Sequence, residues 1–331
     1  MSTFKEIRGQ LIKSLSSDPS PAAAGDMWYN SSTNLLKGVV SLGAWSSGGV
    51  LVAARSSGAG FGIQTAAVYA GGQTAPGPGA TTVYEYNGSS WTTGGALSTG
   101  RYELGGTTAG TLTAGLVFGG NASPGYNATN ATEEYDGSSW TGGGVMATTI
   151  TFLGGSGVQT AAFSGGGRTP AASNNSQEYN GSSWTNVNNI NTTRQALIGL
   201  GTQTAGMVAG GESPGGGSNA SETYDGTNWT NAPNMGTARY RLSGSGSVYT
   251  ASLVFGGRFN PPAADKADTE EFDGTAWSAK ANMATARQQL SGNRGTSSAA
   301  LAAGGIPPSG SKTTATEEYS LAAATKTFTT S

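Results

Sequence analysis

Six tryptophans divide this chain of 331 residues into nearly equal lengths, with spacings of 46, 49, 44, 45 and 48 residues. An arginine stands ten residues after five of them, and Ile150 holds that position after the third. The tryptophans are Trp45, Trp91, Trp140, Trp184, Trp229 and Trp277, and the arginines are Arg55, Arg101, Arg194, Arg239 and Arg287. A period of this length indicates a repeat architecture, in which each unit stacks on its neighbours to bury a core.

Each repeat predicts four β-strands. Apolar runs such as "TAAVYAGG" (65–72) and "TASLVFGG" (250–257) end in two glycines and predict strands buried on both faces. A leucine three residues after the arginine position indicates a strand before that run. "TEEYDG" (132–137) alternates polar and aromatic residues like a half-exposed strand, and its Asp-Gly favours a tight turn into the tryptophan strand.

Four strands that recur every 44–49 residues predict an all-β fold, a β-propeller of four-stranded blades. Six Gly-Gly strands imply six blades. We expect the glycines to lie where inner strands crowd together, and the tryptophans and tyrosines to fill the space between blades. The repeated arginines are interpreted as structural residues that bond carbonyls between blades.

Glutamates also recur at fixed positions of the repeat. A catalytic pair should break the repeat symmetry, because its two groups need unlike environments. We therefore expect these carboxylates to be solvated strand residues. They are Glu85, Glu133, Glu134, Glu178, Glu222, Glu270, Glu271, Glu317 and Glu318.

The order of arginine, apolar strand, Gly-Gly, tyrosine and tryptophan resembles the kelch repeat over about residues 45–320. The resemblance implies a six-bladed kelch-like propeller and says little about function, because propellers serve many functions. Galactose oxidase, a copper enzyme on kelch blades, needs histidine and cysteine ligands, and this chain contains neither. We expect no enzyme activity, no cofactor and no metal.

The two ends of the chain complement each other. The last repeat has Tyr319 but carries Ala324 at its tryptophan position, whereas the first has Trp45 without the preceding tyrosine. We predict a ring closed by both ends, with residues near 42–48 as the outermost strand of the sixth blade. The tail 325–331 could instead supply that strand. The predicted domains are an N-terminal anchor and hairpin (1–35) and the propeller (36–331).

The composition limits the kinds of partner that we expect this chain to bind. The net charge is −2, 11% of residues are charged and no basic run exists, so we expect no nucleic-acid partner. No apolar stretch reaches the ~18 residues of a membrane span, and the first residues lack the apolar core of a signal peptide. We expect no membrane insertion. Residues 1–15 are moderately amphipathic and suit either a frayed terminus or an anchor.

The loops after the Gly-Gly pairs vary in length and chemistry while the repeat stays constant. By the repeat order all six leave the same face, which is how loop-borne binding sites are usually built, although such loops can also simply tolerate change. The candidate binding residues are Tyr126, Asn127, Arg168, Arg258, Phe259, Asn260 and Lys266.

A second resemblance concerns function. "KEIRG" (5–9), the "GDMWYN…LLKGVV" hairpin (25–40) and copies of "EEYDGSSW" and "TAGLVFGG" look like virion proteins of tailed bacteriophages, especially tail-fibre or tail-associated proteins. The resemblance implies a multicopy structural protein of the virion, assembled in the host cytoplasm. Residues 1–35 would dock on other virion proteins, and the propeller would bind a host-surface glycan or protein. The alternatives are a propeller glycan hydrolase and a lectin-like carbohydrate-binding module.

Overall fold

The protein is built almost entirely of short β-strands. The structure, a computed structural model, describes residues 12–23, 25–74, 77–107, 110–124, 127–293 and 295–328. One 3-10 turn, Tyr249–Ala251, is the single helical element in these ranges. The chain forms two compact units. Within the described residues, one unit comprises 12–44 and 321–328, and the other comprises 45–320.

Five sheets of four antiparallel strands follow the predicted repeat, and in each the strands lie in chain order from the innermost outward. They are Ala59–Ile63, Ala66–Ala70, Val83–Tyr86 and Trp91–Thr93; Gly105–Gly106, Gly115–Phe118, Thr132–Tyr135 and Trp140–Gly142; Gly154–Val158, Ala161–Thr169, Ala171–Tyr179 and Trp184–Val187; Ile198–Thr202, Ala205–Ala209, Ser221–Tyr224 and Trp229–Ala232; and Ser243–Ser245, Ser252–Phe255, Thr269–Phe272 and Trp277–Lys280.

A sixth sheet draws strands from both ends of the chain. Its order is Ser291–Gly292, Ala299–Ala303, Thr316–Phe328, Leu35–Ser47, Met27–Asn30 and Lys13–Leu15. The fourth strand therefore comes from the N-terminal part, whereas residues 325–328 continue the third strand. Trp45 on the fourth strand packs against Phe255 and Tyr319, and its Nε1 donates to Thr269 Oγ1 at 3.0 Å.

Shorter ladders extend the ends of these sheets. Arg101–Tyr102 pairs with Asn121–Ala122, which also pairs with Asn127–Ala128. Glu212–Ser213 pairs with Gly216–Gly217, and Arg258–Phe259 pairs with Ala264–Asp265. These ladders are the loops that follow the Gly-Gly pairs.

Aromatic rings fill the space between neighbouring sheets. Trp140 stacks on Tyr135 with ring centroids 4.7 Å apart and meets Phe61 of the preceding sheet edge-on at 6.0 Å. Trp184 contacts Phe118 of its preceding sheet at a tilt, with ring centroids 4.7 Å apart. The Gly-Gly strands Gly115–Phe118 and Ser252–Phe255 are buried along their whole length, and the others are buried from their second residue up to the glycines. Rings with large apolar faces therefore hold successive repeats together.

The arginines act within their own repeat, which corrects the expected bonds between blades. Arg101 Nη1 donates to the carbonyls of Gly119 and Ala131, and its Nη2 pairs with Glu133 at 2.6 Å. The same arrangement joins Arg194 to Glu222, Arg239 to Glu270 and Arg287 to Glu317. Each guanidinium thus bonds to both ends of the loop that connects the second and third strands of its own sheet.

The expectation that the repeated glutamates are solvated is wrong for four of the nine. Glu133, Glu222, Glu270 and Glu317 are buried beside their arginines and balance the buried positive charge. In repeat one the hydroxyl of Tyr84 takes the place of the glutamate and accepts a hydrogen bond from the buried Arg55 at 3.1 Å. Repeat three, where Ile150 replaces the arginine, carries the neutral Gln177 at the glutamate position. Loss of the cation thus coincides with loss of the anion.

Four of the other glutamates accept hydrogen bonds from tyrosines of the next repeat, whereas Glu271 pairs with Lys280 at 2.6 Å. Tyr179 Oη donates to Glu134 at 2.5 Å, Tyr224 Oη donates to Glu178 at 2.9 Å, and Tyr135 donates to Glu85. Burial and the nearby Glu134 raise the pKa of Tyr179 to about 12. Repeat five has Phe272 in place of tyrosine, and repeat four has Thr223 in place of glutamate, so donor and acceptor are lost together.

The Gly-Gly pairs join each repeat to the next. The second glycine donates its amide to the carbonyl at the next arginine position, as from Gly72 to Arg101 at 2.8 Å. The last pair makes this bond to the first repeat, from Gly305 to Arg55 at 2.7 Å. A Cβ on Gly304 would lie 2.5 Å from the Arg55 carbonyl, so a side chain there would clash with backbone.

The unit of residues 12–44 and 321–328 contains the predicted hairpin. Met27–Asn30 pairs antiparallel with the first part of Leu35–Ser47. Asp18 accepts hydrogen bonds from Trp28 Nε1 at 3.0 Å, Asn30 Nδ2 at 2.7 Å and Lys37 Nζ. These bonds lower the pKa of Asp18 to about 2, the lysine being the largest contributor. The segment before the hairpin is thereby fastened to it.

Candidate functional site

The varied loops and the connections between sheets lie at one end of the sheets of residues 45–320. The residue after each Gly-Gly pair bridges to the residue after the arginine position, as Arg168 does to Thr151 and Arg258 to Tyr240. The same bridge recurs in all six repeats. We call this end the loop face, and the prediction that the loops share one face is consistent with it.

Six residues with left-handed backbone form a hydrogen-bonded ring on the loop face. They are Ser57, Glu103, Phe152, Ala196, Arg241 and Gln289, each two residues after an arginine position. Each donates its amide to the carbonyl of the preceding member at 2.7–3.0 Å, and Ser57 donates to Gln289. We call these residues the left-handed ring. The chain of bonds returns to its starting residue.

None of the ring residues is glycine, although the chain has 55 glycines and 23 described ones adopt positive φ. A side chain in this region of backbone space costs about 1 kcal/mol or more. Six equivalent residues adopt this conformation, and Asn34 is the one further non-glycine residue that does so in the described chain. Side chains are therefore retained at the ring against the local backbone preference.

The ring frames a small pocket, which we call the cup, of about 90 Å³. The ring side chains differ at every position and include an acid, a guanidinium, an aromatic ring and an amide, and the residue after each ring position, a leucine in five repeats, lines the rest of the cup. Arg241 crosses toward repeat three, where its guanidinium lies 5.6 Å from the centroid of the Phe152 ring. Its Nη1 donates to Gln288 Oε1 at 3.2 Å. The six repeats therefore differ in side-chain chemistry at the cup.

Glu103 is the acidic member of the ring. Burial raises its pKa from the usual 4.5 to about 7, opposed by the positive charges of Arg241 and Arg168 and by a hydrogen bond from Asn121. Asn121 Nδ2 donates to Glu103 Oε2 at 2.6 Å. Near neutral pH this carboxyl group therefore exchanges between a proton donor and an anion.

A larger cleft of about 870 Å³ adjoins the cup and shares Glu103 and Phe152 with it. Amides, hydroxyls and one guanidinium dominate its wall. Arg168 lies in it with its Nε donating to the Pro170 carbonyl at 2.8 Å. The lining residues are Gln73, Tyr102, Glu103, Asn121, Asn127, Ala128, Thr148, Thr149, Thr151, Phe152, Arg168, Thr169 and Pro170. We call this the loop-face cleft.

The predicted binding residues separate into two groups. Asn127 and Arg168 both line the loop-face cleft. Arg258, Phe259 and Lys266 lie on another hairpin, where Arg258 pairs with Asp265 at 3.1 Å and the Lys266 amine lies 5.6 Å from the Phe259 ring centroid. Tyr126 is outside the described residues.

Asn260 belongs to that second hairpin, and its carbonyl accepts a hydrogen bond from Gly217 at 3.3 Å. This bond places the hairpin in contact with the glycine-rich loop at 212–221. The cationic groups of the hairpin are also engaged with Asp265 and Phe259. Whether the second group binds a ligand stays a prediction.

The prediction missed Glu103, Phe152 and Arg241. Their signal is present in the sequence, because the position two residues after the arginine changes chemistry in every repeat whereas the position after it is leucine in five of the six. Backbone handedness, which directs these side chains into one pocket, cannot be inferred from that variation alone. The argument that the chain lacks an asymmetric group of titratable residues no longer holds, and the expectation of no enzyme activity loses that support.

Comparison with known proteins bears on the fold alone. The sequence matches no protein family and no curated protein. It is similar to the solved structure of YjhT, with a TM-score of 0.67 and 12% sequence identity over 84% of this chain and 99% of that one. The fold is β-propeller-like. At this identity the similarity does not extend to the activity of YjhT.

Two searches of the structure gave negative results. Over the described residues, no three metal-binding side chains of the His, Cys, Asp or Glu type come together. In the same ranges no helix has the length and apolar character needed to span a bilayer.

Proposed function

We propose that residues 45–320 form a closed, six-bladed propeller of kelch type. The support is that three recurring contacts between neighbouring repeats are also made between the sixth and the first. The amide bond from Gly305 to Arg55 and the ring bond from Ser57 to Gln289 are two of these contacts. Gln64 adds a third, donating to the carbonyls of Ala300 and Tyr319 as Gln159 and Gln203 do in other repeats.

We further propose that this propeller is a structural protein of a tailed-bacteriophage virion, in a tail fibre or associated with the tail. Residues 1–35 attach it to other virion proteins, and the loop face binds carbohydrate on the host surface. The resemblance in sequence supports the setting. The loop-face cleft supports the binding role, because its wall combines variable loops with hydrogen-bonding side chains.

The chemistry of the cleft suits a sugar. Asn127 and Gln73 offer amides, Thr148 and Thr149 offer hydroxyls, and Arg168 offers a guanidinium, so vicinal hydroxyls can be bound from several sides. Phe152 gives an apolar surface for the face of a pyranose ring. The cleft is the single observation that carries the binding proposal.

Glycan hydrolysis is the second candidate, and Glu103 is the observation that favours it. A carboxyl group with a pKa near 7 is suited to general acid catalysis. Most glycoside hydrolases, however, use two carboxyl groups about 5–10 Å apart. Glu103 is the one acidic side chain among the described residues that line the cleft, so binding is the better supported function.

Adsorption to host cells tests the proposed function. We expect the purified protein to bind host surface polysaccharide without releasing new reducing ends. The double substitution Asn127→Ala with Arg168→Ala should lower adsorption at least tenfold with an unchanged melting temperature, since both side chains are exposed. Asn186→Ala with Lys280→Ala, which removes an amide and a cation from outer strands, is the matched control.

Three results would contradict the proposal. Equal adsorption by both double variants would remove the cleft from the binding site. Release of reducing ends, abolished in Glu103→Gln, would favour the hydrolase. Absence of the protein from purified particles would overturn the virion assignment.

A further inference from the structure

Arg241 and Ser57 bring to the cup two hydrogen-bonding atoms that lack a partner. Arg241 Nε and Ser57 Oγ are buried and find no hydrogen-bond partner among the residues that the structure describes. Arginine has donors only, and a serine hydroxyl can donate as well as accept. The Nε atoms of the repeat arginines are also unpartnered, but Arg241 lines the cup and they do not, so a group that brings oxygen atoms into the cup can complete its hydrogen bonds.

We propose that the cup binds a small oxyanion group, a carboxylate or a phosphate, on the guanidinium of Arg241. This inference rests on the proposed function, because the group would be the acidic substituent of a glycan whose sugar ring lies in the adjoining loop-face cleft. The cup and the cleft share Glu103 and Phe152, so one ligand can extend from one into the other.

The size of the cup limits what it can hold. The cup, at about 90 Å³, is much smaller than the adjoining cleft of about 870 Å³, so it suits a group of a few heavy atoms. A carboxylate or a phosphate has that size, whereas a whole sugar ring does not. The sugar must therefore remain in the cleft.

Arg241 is held ready for this role. The Phe152 and Tyr240 rings each lie 5.6 Å from its guanidinium carbon, and Gln288 fixes Nη1. A stacked guanidinium keeps its in-plane donors available for bidentate pairing with an oxyanion. Its position is fixed before a ligand arrives.

Glu103 makes the binding depend on pH. Its carboxyl group faces the charges of Arg241 and Arg168 and the amide of Asn121. As an anion it competes with the ligand for Arg241 and repels it, whereas the neutral acid can donate a hydrogen bond to an oxyanion. Because its pKa is raised to about 7, binding should weaken as pH rises through neutrality.

Calorimetric titration tests the site with three small probes: glucuronate, glycerol 3-phosphate and neutral glucose. We expect one or both acidic probes to bind and glucose to bind at least tenfold more weakly. The two acidic probes separate a uronic acid from a polyol phosphate as the natural source. Arg241→Gln should weaken acidic binding at least tenfold, and Gln289 at the equivalent position shows that glutamine is accommodated by this backbone.

The pH arm uses glucuronate, because a phosphate monoester itself titrates near pH 6. The dissociation constant should rise about tenfold between pH 6 and pH 8 in the wild type, which follows from a pKa near 7, and stay constant in Glu103→Gln. Lys280→Gln removes a cation from an outer strand, away from the cup, and should bind like the wild type.

The proposal is overturned if Arg241→Gln, with an unchanged melting temperature, binds both acidic probes as the wild type does. It is also overturned if the wild type binds neither acidic probe at millimolar concentration, or prefers glucose. Host polysaccharide that still adsorbs through Asn127 and Arg168 in either case would leave the proposed function intact and remove the oxyanion site alone.

Discussion

At the residue scale, side chains that contact each other change together from one repeat to another. Arginine with glutamate becomes Ile150 with Gln177, and tyrosine with glutamate becomes Phe272 with Thr223. Both exchanges follow from the free energy of burial, since either partner alone would leave an uncompensated polar or charged group inside the protein. One chain thus contains its own set of compensated substitutions.

The first prediction uses this compensation. Arg194→Ile should destabilise the protein by about 3–5 kcal/mol, because Glu222 would remain charged and buried. Adding Glu222→Gln should recover a large part of that loss. The double variant copies repeat three, where Gln177 Oε1 accepts the Ala147 amide at 2.8 Å much as Glu222 accepts that of Asn191. Chemical denaturation of the single and double variants measures the coupling, and purely additive losses would contradict the pairing.

Glu103 gives a second prediction, on stability against pH. Its pKa in the folded protein is raised, so the folded state binds the proton more tightly than the unfolded chain does. That stabilisation is complete below about pH 4.5 and is lost as pH rises through about 7. Glu103→Gln should therefore be more stable than the wild type at pH 8, by roughly 2 kcal/mol.

At pH 4 the advantage of Glu103→Gln should be small, because the wild-type carboxyl group is then neutral as well. Denaturation midpoints at the two pH values give the test. An equal difference at both would show that Glu103 does not titrate near neutrality.

Among the elements of the fold, the strands were the ones that the sequence predicted best. Apolar runs ending in Gly-Gly predicted the buried second strands, and Asp-Gly or Asn-Gly predicted the turns before the tryptophan strands, because both signals are local. Some glutamates were mistaken for solvated residues, and the arginine bonds were placed between blades. The sequence could not correct either prediction, because the partners lie far along the chain, 28 residues away for Arg194 and 50 for Tyr135. The left-handed ring was missed because six non-glycine residues adopt a conformation that their side chains disfavour.

A third prediction concerns the aromatic contact between sheets. Trp140→Ala should lower stability by about 3 kcal/mol, at the low end for a buried aromatic because the ring is only partly covered. The substitution removes the stack on Tyr135, the contact with Phe61 and the bond from Nε1 to the Gly95 carbonyl at 2.9 Å. An unchanged denaturation midpoint would show that the indole contributes no packing.

At the scale of the whole molecule, the proposed closed ring makes the sixth repeat depend on the N-terminal part of the chain. Trp45 occupies in the sixth sheet the place that a tryptophan holds in each of the others, with its indole donating to Thr269 as Trp184 donates to Thr132. The remaining ring contacts come from the repeats themselves. The strand Leu35–Ser47 therefore contributes, through Trp45, to the contact between the fifth and sixth sheets.

Two truncations test this dependence. Deleting residues 1–24 should leave the melting temperature of the propeller nearly unchanged, because Trp45 and its strand remain. Deleting residues 1–48 should lower it by roughly 5–10 °C, as expected for the loss of one packed aromatic and its strand in a domain of this size. Equal melting of the two proteins would show that the strand does not complete the sixth sheet.

Hydrogen–deuterium exchange with purified host polysaccharide locates the site most directly. The account predicts slower exchange on the loop face, at residues 121–124 and 127–128, 148–152 and 168–170, which line or border the cleft. The turns at the outer ends of the sheets, such as Asp136-Gly137 and Asp225-Gly226, should exchange as in the free protein. Protection confined to those turns, or to the unit of residues 12–44 and 321–328, would contradict a binding site on the loop face.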